Sequence, residues 1–381
     1  MNEIPFVKYT SFGNNFVIVD ELDRRWFPGD GASDFAFEAT DGCFGVGADN
    51  LLVVQRADAA RLEAIRAERG YWSRVPALDG ADFLFRMFEP DGVEAYCCGN
   101  GLMCIAHHLW EAHGITSSSL ATELPLTSPR LVRIGVTEGG GGAWADMGQP
   151  RPMPGELYTG PLEAGDPQRI RGLEITFRSH DLKPYTDETV LRFDAYAVFT
   201  GEPHLVVFPD ESFSVPELAH LFFVGHGGGA AAQDKRASQG TWLLERIGAY
   251  LNTHYPTLFP HGINLNLVRV DPATETVEYR CFERGLDRET LACGTGAMAV
   301  AHAVRALGRC ARNPIAIVPH RARWFDTRAT LGVRADPRGW VLSGSPRRLF
   351  RGTFARRGVS VDATPEAAHV GHRADSAARV A

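Results

Sequence analysis

The chain has 381 residues, 44% hydrophobic and 22% charged, a globular composition that excludes wholesale disorder, and its length suits two domains of ordinary size. It carries 39 Lys and Arg against 46 Asp and Glu, for a net charge of −7, and this mild acidity argues against a nucleic acid or an anionic membrane as partner. No stretch approaches the roughly 20 apolar residues of a membrane-spanning helix, and the N-terminus lacks the order of a secretory signal.

The cysteines indicate a reducing compartment. There are seven, an odd number in a chain long enough to build a hydrophobic core, so we expect free thiols and a cytoplasmic location. No CxxC motif is paired with a second one or with two histidines, so no metal site is expected. No phosphate-cradling glycine loop with a downstream lysine is recognisable, so no cofactor is expected, and the GVG at residues 45–47 is read as a turn.

Alternating or continuous apolar runs between turn residues predict strands. In chain order these cover residues 16–21, 50–55, 83–89, 130–136, 173–178, 204–208, 263–268, 277–283, 315–318 and 339–344. Apolar residues at three-to-four spacing predict two helices, which begin after Cys98 and after Cys293. The stretches 56–70 and 225–232 are expected to lie outside the core. The tail 355–381 has few large apolar residues and is expected to be disordered.

The sequence repeats itself. Cys98-Gly-Asn-Gly and Cys293-Gly-Thr-Gly open similar segments, and two further blocks precede them in the same order. The matched blocks are residues 97–109 with 292–304, 85–89 with 279–283, and 13–19 with 201–207. Three matches in one order predict a gene duplication and therefore two similar structural units.

The duplication predicts an α+β fold with two lobes related by a pseudo-twofold axis, each a sheet or barrel wrapped around a central helix. We expect residues 1–128 with about 340–354 to form the N-terminal lobe, and residues 129–339 to form the C-terminal lobe. The sequence indicates no role for the insertions near 56–82 and 209–240.

A cysteine directly before a helix can be reactive, because unpaired N–H groups at the helix start favour a thiolate and can also bind a carboxylate. One such cysteine is more often a buried capping residue, but here the motif occurs twice. Two facing thiols suit either a redox disulfide or a two-base proton transfer that inverts a stereocentre. A binding protein without activity is a third alternative.

At these motifs the chain resembles the diaminopimelate epimerase family of cofactor-independent amino-acid racemases and epimerases. The resemblance covers most of residues 4–354. It is carried by KYTSFGNNF, CFGVGAD, FEPDGVEAYCCGNG, GEPHLVV, GINLN, FERG, ACGTGA and VLSGSPRRLFRG. It implies an isomerase with a small-molecule amino-acid substrate and no cofactor; a homodimer is one option for its oligomeric state.

The resemblance also implies residue roles. Cys98 and Cys293 would be the acid/base pair, and His204 and Glu283 would help to bring one thiol to its thiolate form. Backbone N–H groups would hold the substrate α-carboxylate, and three side chains would contact the substrate. The N–H groups belong to Gly99, Asn100, Gly294 and Thr295, and the side chains to Asn14, Asn264 and Arg284. The repeated His107 and His302 are expected to be packing residues.

Two positions depart from the family. Glu89 and Glu202 stand where the family has asparagines that surround a distal carboxylate of the substrate. Ionised glutamates only accept hydrogen bonds, so they would repel that carboxylate and favour a cation. We therefore expect lysine, ornithine, arginine or histidine as substrate, with diaminopimelate as the alternative. A second interpretation is that either glutamate lies on the rim or pairs with Arg284.

Overall fold

The computed structural model describes residues 3–27, 31–183, 185–224, 235–326 and 328–355. The tail after residue 355 and the Gly/Ala-rich stretch 225–232 lie outside these ranges. Within them, no helix has the length and apolar character needed to cross a membrane.

The described residues contain 18 strands that join into one mixed sheet. The strands are β1 Glu3–Ser11, β2 Asn14–Asp20, β3 Asn50–Arg56, β4 Phe83–Phe88, β5 Glu94–Ala95, β6 Ser117–Thr122, β7 Arg130–Val136, β8 Ala143–Gly148, β9 Gln168–Thr176, β10 Val190–Phe199, β11 Pro203–Val207, β12 Asn264–Asp271, β13 Thr276–Glu283, β14 Arg288–Thr290, β15 Ile315–Pro319, β16 Leu331–Arg334, β17 Trp340–Gly344 and β18 Arg347–Ala355. Each of the ten predicted strands overlaps one of them.

Helices are few. Those described are α1 Gly31–Thr40, α2 Ala59–Arg69, α3 Gly99–His113, α4 Pro209–Ser212, α5 Lys235–His254 and α6 Gly294–Ala306. The helices predicted after Cys98 and Cys293 are α3 and α6. The charged stretch 56–70 contains α2, which packs only Leu62 and Ile65 into the core and ends at Gly70 in a left-handed conformation.

The strand pairings repeat. In the first half of the chain, β2 runs antiparallel to β1 and parallel to β3, β4 runs antiparallel to β3 and parallel to β6, and β6 pairs antiparallel with β7. The same five relations recur for β10, β11, β12, β13, β15 and β16. One antiparallel pair, β8 with β17, joins the two sets into one sheet.

Each repeat surrounds one helix. Strands β1, β2, β7 and β8 pack against α3, strands β10 to β13, β15 and β16 pack against α6, and β17 contacts both helices. Both helices are apolar on nearly all faces, and Leu102 of α3 and Met298 of α6 belong to one continuous core. Strands β7 and β8 therefore lie beside α3, although they follow residue 129. The division of the chain into domains stays a prediction.

Candidate active site

The starts of α3 and α6 meet inside the protein. Cys98 and Cys293 are the residues immediately before the two helices, in extended conformations. A Cβ atom added to Gly99 or to Gly294 would lie only 2.9 Å from Cδ2 of Leu342. The Cβ on Gly294 would also lie 3.8 Å from the Cα of Gly99. Glycine as the first helical residue thus allows both helix starts, with their unpaired N–H groups, to approach one point.

Cys98 faces an amide whose orientation is fixed. Its thiol donates to Oδ1 of Asn14 across 3.6 Å, and Nδ2 of Asn14 donates to Oδ2 of Asp49 at 2.9 Å. The same carboxylate oxygen accepts from the backbone N–H of Asn15 at 2.6 Å. Because Asp49 accepts from the amide nitrogen, Asn14 presents its oxygen to Cys98, an arrangement that suits a protonated thiol.

Opposing effects set the pKa of Cys98. Burial raises it to about 12, although the N–H groups of Gly101 and Asn100 lower it, and the nearby charges of Glu283 and Cys293 raise it further. The N–H groups at the helix start therefore lower the pKa of this thiol, as expected, but burial raises it by more. Cys98 is a thiol at neutral pH.

Cys293 is held by its backbone and its sulfur. The hydroxyl of Tyr279 donates to the carbonyl oxygen of Cys293 at 2.8 Å and accepts from its N–H at 2.9 Å. The N–H of Gly296 donates to Sγ at 3.3 Å, and Oγ1 of Thr295 lies 3.3 Å from the same sulfur. This sulfur therefore contacts one backbone N–H group and one hydroxyl group.

Glu283 lies beside Cys293. Burial raises the pKa of Glu283, while hydrogen bonds from Thr290 and Cys293 lower it. Sγ of Cys281, Sγ of Cys293 and a carboxylate oxygen of Glu283 all lie within 4.8 Å of one another. Cys281 was not among the predicted site residues; it lies on β13 opposite Thr290 of β14.

His204 reaches Cys293 through a hydroxyl group. Its Nδ1 accepts from Nδ2 of Asn266 at 3.1 Å, so its Nε2 carries the proton that points to Oγ1 of Thr295, 3.1 Å away. The amide is oriented by a second hydrogen bond, from Nδ2 to the carbonyl oxygen of Leu205 at 3.1 Å. Burial, and then the charge of Arg284, lower the pKa of His204 to about 3. The imidazole is therefore neutral and acts as a donor.

Glu202 is paired. Its carboxylate accepts from Nε of Arg284 at 3.1 Å and also from Nη2 of that guanidinium. The backbone N–H of Arg284 donates to Oδ1 of Asn264 at 2.9 Å, and its Nη1 donates to the carbonyl oxygen of His261. Of the two interpretations of Glu202, pairing with Arg284 is the one found, so this glutamate offers no free charge.

Glu89 has no such cation among its described contacts. It is half-buried at the end of β4, and burial raises its pKa, which a hydrogen bond from Asn50 lowers and the charges of Asp91 and Asp49 raise. Asn50 opens β3, whose parallel pairing with β2 sets it opposite Phe16. Asp49 and Asn50 were not among the predicted site residues. The CFGVGAD motif directly before Asn50 was the available signal.

Solved structures show the class of the fold. The chain resembles a hydroxyproline epimerase from Agrobacterium vitis, at 15% identity and a TM-score of 0.50 over 92% of both chains. It also resembles a probable proline racemase from Agrobacterium radiobacter, at 13% identity and a TM-score of 0.52 over 94% of both chains. The mixed sheet with few helices is thus the fold of racemases and epimerases.

Sequence relatives narrow the class. No protein family model matches the chain. The diaminopimelate epimerase of Methanothrix thermoacetophila is 30% identical over 310 residues, which is 81% of this chain and 83% of that protein. The diaminopimelate epimerase of Archaeoglobus fulgidus is 30% identical over 307 residues, which is 80% of this chain and 82% of that protein. The chain belongs to the diaminopimelate epimerase family, and it is an isomerase of the epimerase and racemase class.

Proposed function

We propose that this protein inverts the Cα stereocentre of an amino acid without a cofactor, using Cys98 and Cys293 as two opposed bases. The observation that carries this proposal is the meeting of the two helix starts, each preceded by a cysteine. The N–H groups of Gly99 and Asn100, with those of Gly294 and Thr295, form an anion site that suits the α-carboxylate. A carboxylate held there would set Cα between the two sulfurs.

The two thiols differ, and the difference gives them roles. Cys293 passes its proton to Glu283, whose raised pKa makes it a better proton acceptor than an ordinary carboxylate. The Cys293 thiolate then takes the α-proton, so the Cα–H bond breaks and an S–H bond forms. Cys98 delivers its thiol proton to the opposite face of Cα. The reverse reaction exchanges the two roles.

Solvent deuterium incorporation at Cα tests this mechanism. Cys98→Ser and Cys293→Ser should each reduce inversion in both directions by roughly 10²–10⁴-fold, the usual contribution of a positioned acid or base. Cys97→Ser is the matched control, because this thiol is adjacent in sequence but does not precede a helix. Inversion that survives both active-site substitutions would overturn the proposal. Activity on disulfide substrates with a defined reduction potential would favour the redox alternative.

For the substrate we propose an amino acid with a cationic side chain: lysine, ornithine, arginine or histidine. Arg284 is the guanidinium that a distal carboxylate would need, and Glu202 already neutralises it. Glu89 adds an acceptor whose described neighbours are Asn50 and two further carboxylates, Asp49 and Asp91. With Arg284 paired, the carboxylates around Glu89 favour a cation over an anion.

Diaminopimelate is the second candidate, because the two relatives that align with about 80% of the chain, at 30% identity, are named diaminopimelate epimerase. Values of kcat/KM for the four basic amino acids and for diaminopimelate distinguish the two. Glu89→Asn combined with Glu202→Asn should lower activity on the basic substrate and free Arg284 for a distal carboxylate. Asp91→Asn removes an exposed neighbouring carboxylate and should change the substrate preference much less. If diaminopimelate is the best substrate of the unmodified enzyme, the cation proposal fails while the two-thiol mechanism stands.

A further inference from the structure

Three potential metal ligands converge at the far end of α3. Oδ2 of Asp20, the last residue of β2, lies 2.9 Å from Nε2 of His108 and 2.7 Å from Nε2 of His113. All three atoms lie within 4.8 Å of one another. We propose that Asp20, His108 and His113 form a binding site for a divalent transition-metal ion, best filled by Zn²⁺.

The ligands are oriented before any ion arrives. The other carboxylate oxygen of Asp20 accepts from the N–H of Leu22 at 2.9 Å, which turns Oδ2 toward the histidines. The ring of His108 is buried and meets the ring of Tyr9 edge-on, at 6.2 Å between centroids.

Two imidazoles and one carboxylate are a common ligand set of Zn²⁺. Ligands bound at roughly 2.0 Å in a tetrahedron stand about 3.3 Å apart. The 2.9 Å and 2.7 Å distances from Asp20 to His108 and His113 would therefore lengthen by roughly half an ångström on binding. The side chains of Asp20 and His113 are 24% and 25% exposed, which leaves an approach for the ion and for water as the fourth ligand.

The ion would tie the end of β2 to the last turn of α3. The 15 residues of α3 span about 20 Å, and Cys98 stands at the opposite end of the helix. The metal would therefore not touch the reacting atoms. Its expected effect is on stability, because an ion that binds only the folded chain raises the unfolding temperature.

The second repeat supplies a matched control. There His302 of α6 makes a single pair with Asp166, with Nε2 and Oδ1 at 2.6 Å, and no second histidine joins that pair among the described contacts. His302→Gln therefore removes a comparable histidine–aspartate contact without removing a three-ligand set.

Cobalt(II) titration tests the site, because sulfur ligation adds an intense thiolate-to-metal absorption that oxygen and nitrogen ligands lack. This matters because Cys281, Glu283 and Cys293 form a second group with ligand atoms within 4.8 Å. The full-length protein should bind one Co²⁺ without that absorption, His302→Gln should do the same, and His113→Gln should weaken binding at least tenfold. With Zn²⁺, the unfolding temperature should rise by roughly 3–8 °C in the first two proteins and stay constant in His113→Gln.

Equal Co²⁺ affinity in His113→Gln and the unmodified protein, no binding at all, or thiolate absorption from the first equivalent would each overturn this site. The helix-end position of His113 makes its substitution mild, and its unfolding temperature without metal checks that it folds. Cα deuterium exchange should be unchanged in His113→Gln, so this test and that of the proposed function give separate answers.

Discussion

Because burial lowers the pKa of His204, the stability of the folded chain should depend on pH. Its pKa is 6.5 as an ordinary histidine and about 3 in the folded chain, so between these values the unfolded chain binds a proton that the folded chain does not. Stability is therefore lost as the pH falls below 6.5. Between pH 7 and pH 5 this one group should remove about 2 kcal/mol.

Urea unfolding at several pH values measures this effect. His204→Gln should lose about 2 kcal/mol less than the unmodified protein between pH 7 and pH 5, whatever its stability at neutral pH. Above pH 7.5 the two proteins should change in parallel, because His204 is neutral in both states there. Identical slopes below pH 6.5 would mean that His204 carries a proton in the folded protein.

Thr295 should matter through its hydroxyl group, which lies 3.1 Å from Nε2 of His204 and 3.3 Å from Sγ of Cys293. Thr295→Val removes this link and should lower kcat about tenfold, as expected for one hydrogen bond of about 1.4 kcal/mol. Thr295→Ser keeps the hydroxyl and should restore most of the activity. Equal losses in both variants would show that the methyl group matters as much as the hydroxyl, and would contradict a role specific to the hydroxyl.

Candidate site residues within the repeated motif could be predicted from the sequence. Residues that reach the site only through the pairing of strands could not. Cys98 and Cys293 stand out because the same motif occurs twice. Asp49 and Asn266 gain their roles only because parallel pairing sets β3 beside β2 and β12 beside β11. Such pairing depends on tertiary contacts, which local sequence patterns do not encode.

At the scale of the helix starts, Gly101 and Gly296 occupy equivalent positions in the two repeated motifs but have different neighbours. A Cβ on Gly296 would lie 2.6 Å from Oδ1 of Asn266 and 3.4 Å from Sγ of Cys293. A Cβ on Gly101 would meet Leu52 and Phe85 at 3.4 Å, near ordinary contact. Gly296 therefore makes room for the amide that orients His204.

Alanine substitution at Gly296 and at Gly101 should have different effects on activity and stability. Gly296→Ala should displace Asn266, lower kcat at least tenfold and cost about 1–3 kcal/mol of stability. Gly101→Ala should cost less, because a small contact is offset by the better helix propensity of alanine, worth up to about 1 kcal/mol. Circular dichroism melting and Cα exchange give the two readouts. A larger loss in Gly101→Ala would contradict this ranking.

The predicted strands have a regular apolar pattern, and several of the strands that were not predicted lack it. β4 is buried along its whole length, and its sequence is a nearly continuous apolar run that predicts a strand. β18 is exposed along most of its length and exists because it pairs with β1, so its residues carry no burial pattern. The same holds for β5 and β14, which have two and three residues and extend neighbouring strands.

At the scale of the molecule, the repeat in the sequence is visible as a repeat of hydrogen-bonded pairings. The pairing of β8 with β17 and the contacts of α3 with α6 and with β17 connect the two sets, whose buried residues form one core. The site lies at that meeting point, with Leu342 of β17 against both helix starts. A ligand there would therefore touch both repeats at once.

We expect such a ligand to draw the two repeats together, because its α-carboxylate would accept hydrogen bonds from both helix starts. Closure would also exclude water from a weak carbon acid during proton transfer. Small-angle X-ray scattering with an unreactive α-methyl analogue of the best substrate should show a smaller radius of gyration. The matching amine without the α-carboxylate, which keeps the side-chain contacts, should leave the radius unchanged. Compaction by both ligands would assign closure to the side-chain pocket, and compaction by neither would mean that the repeats are already closed around the site.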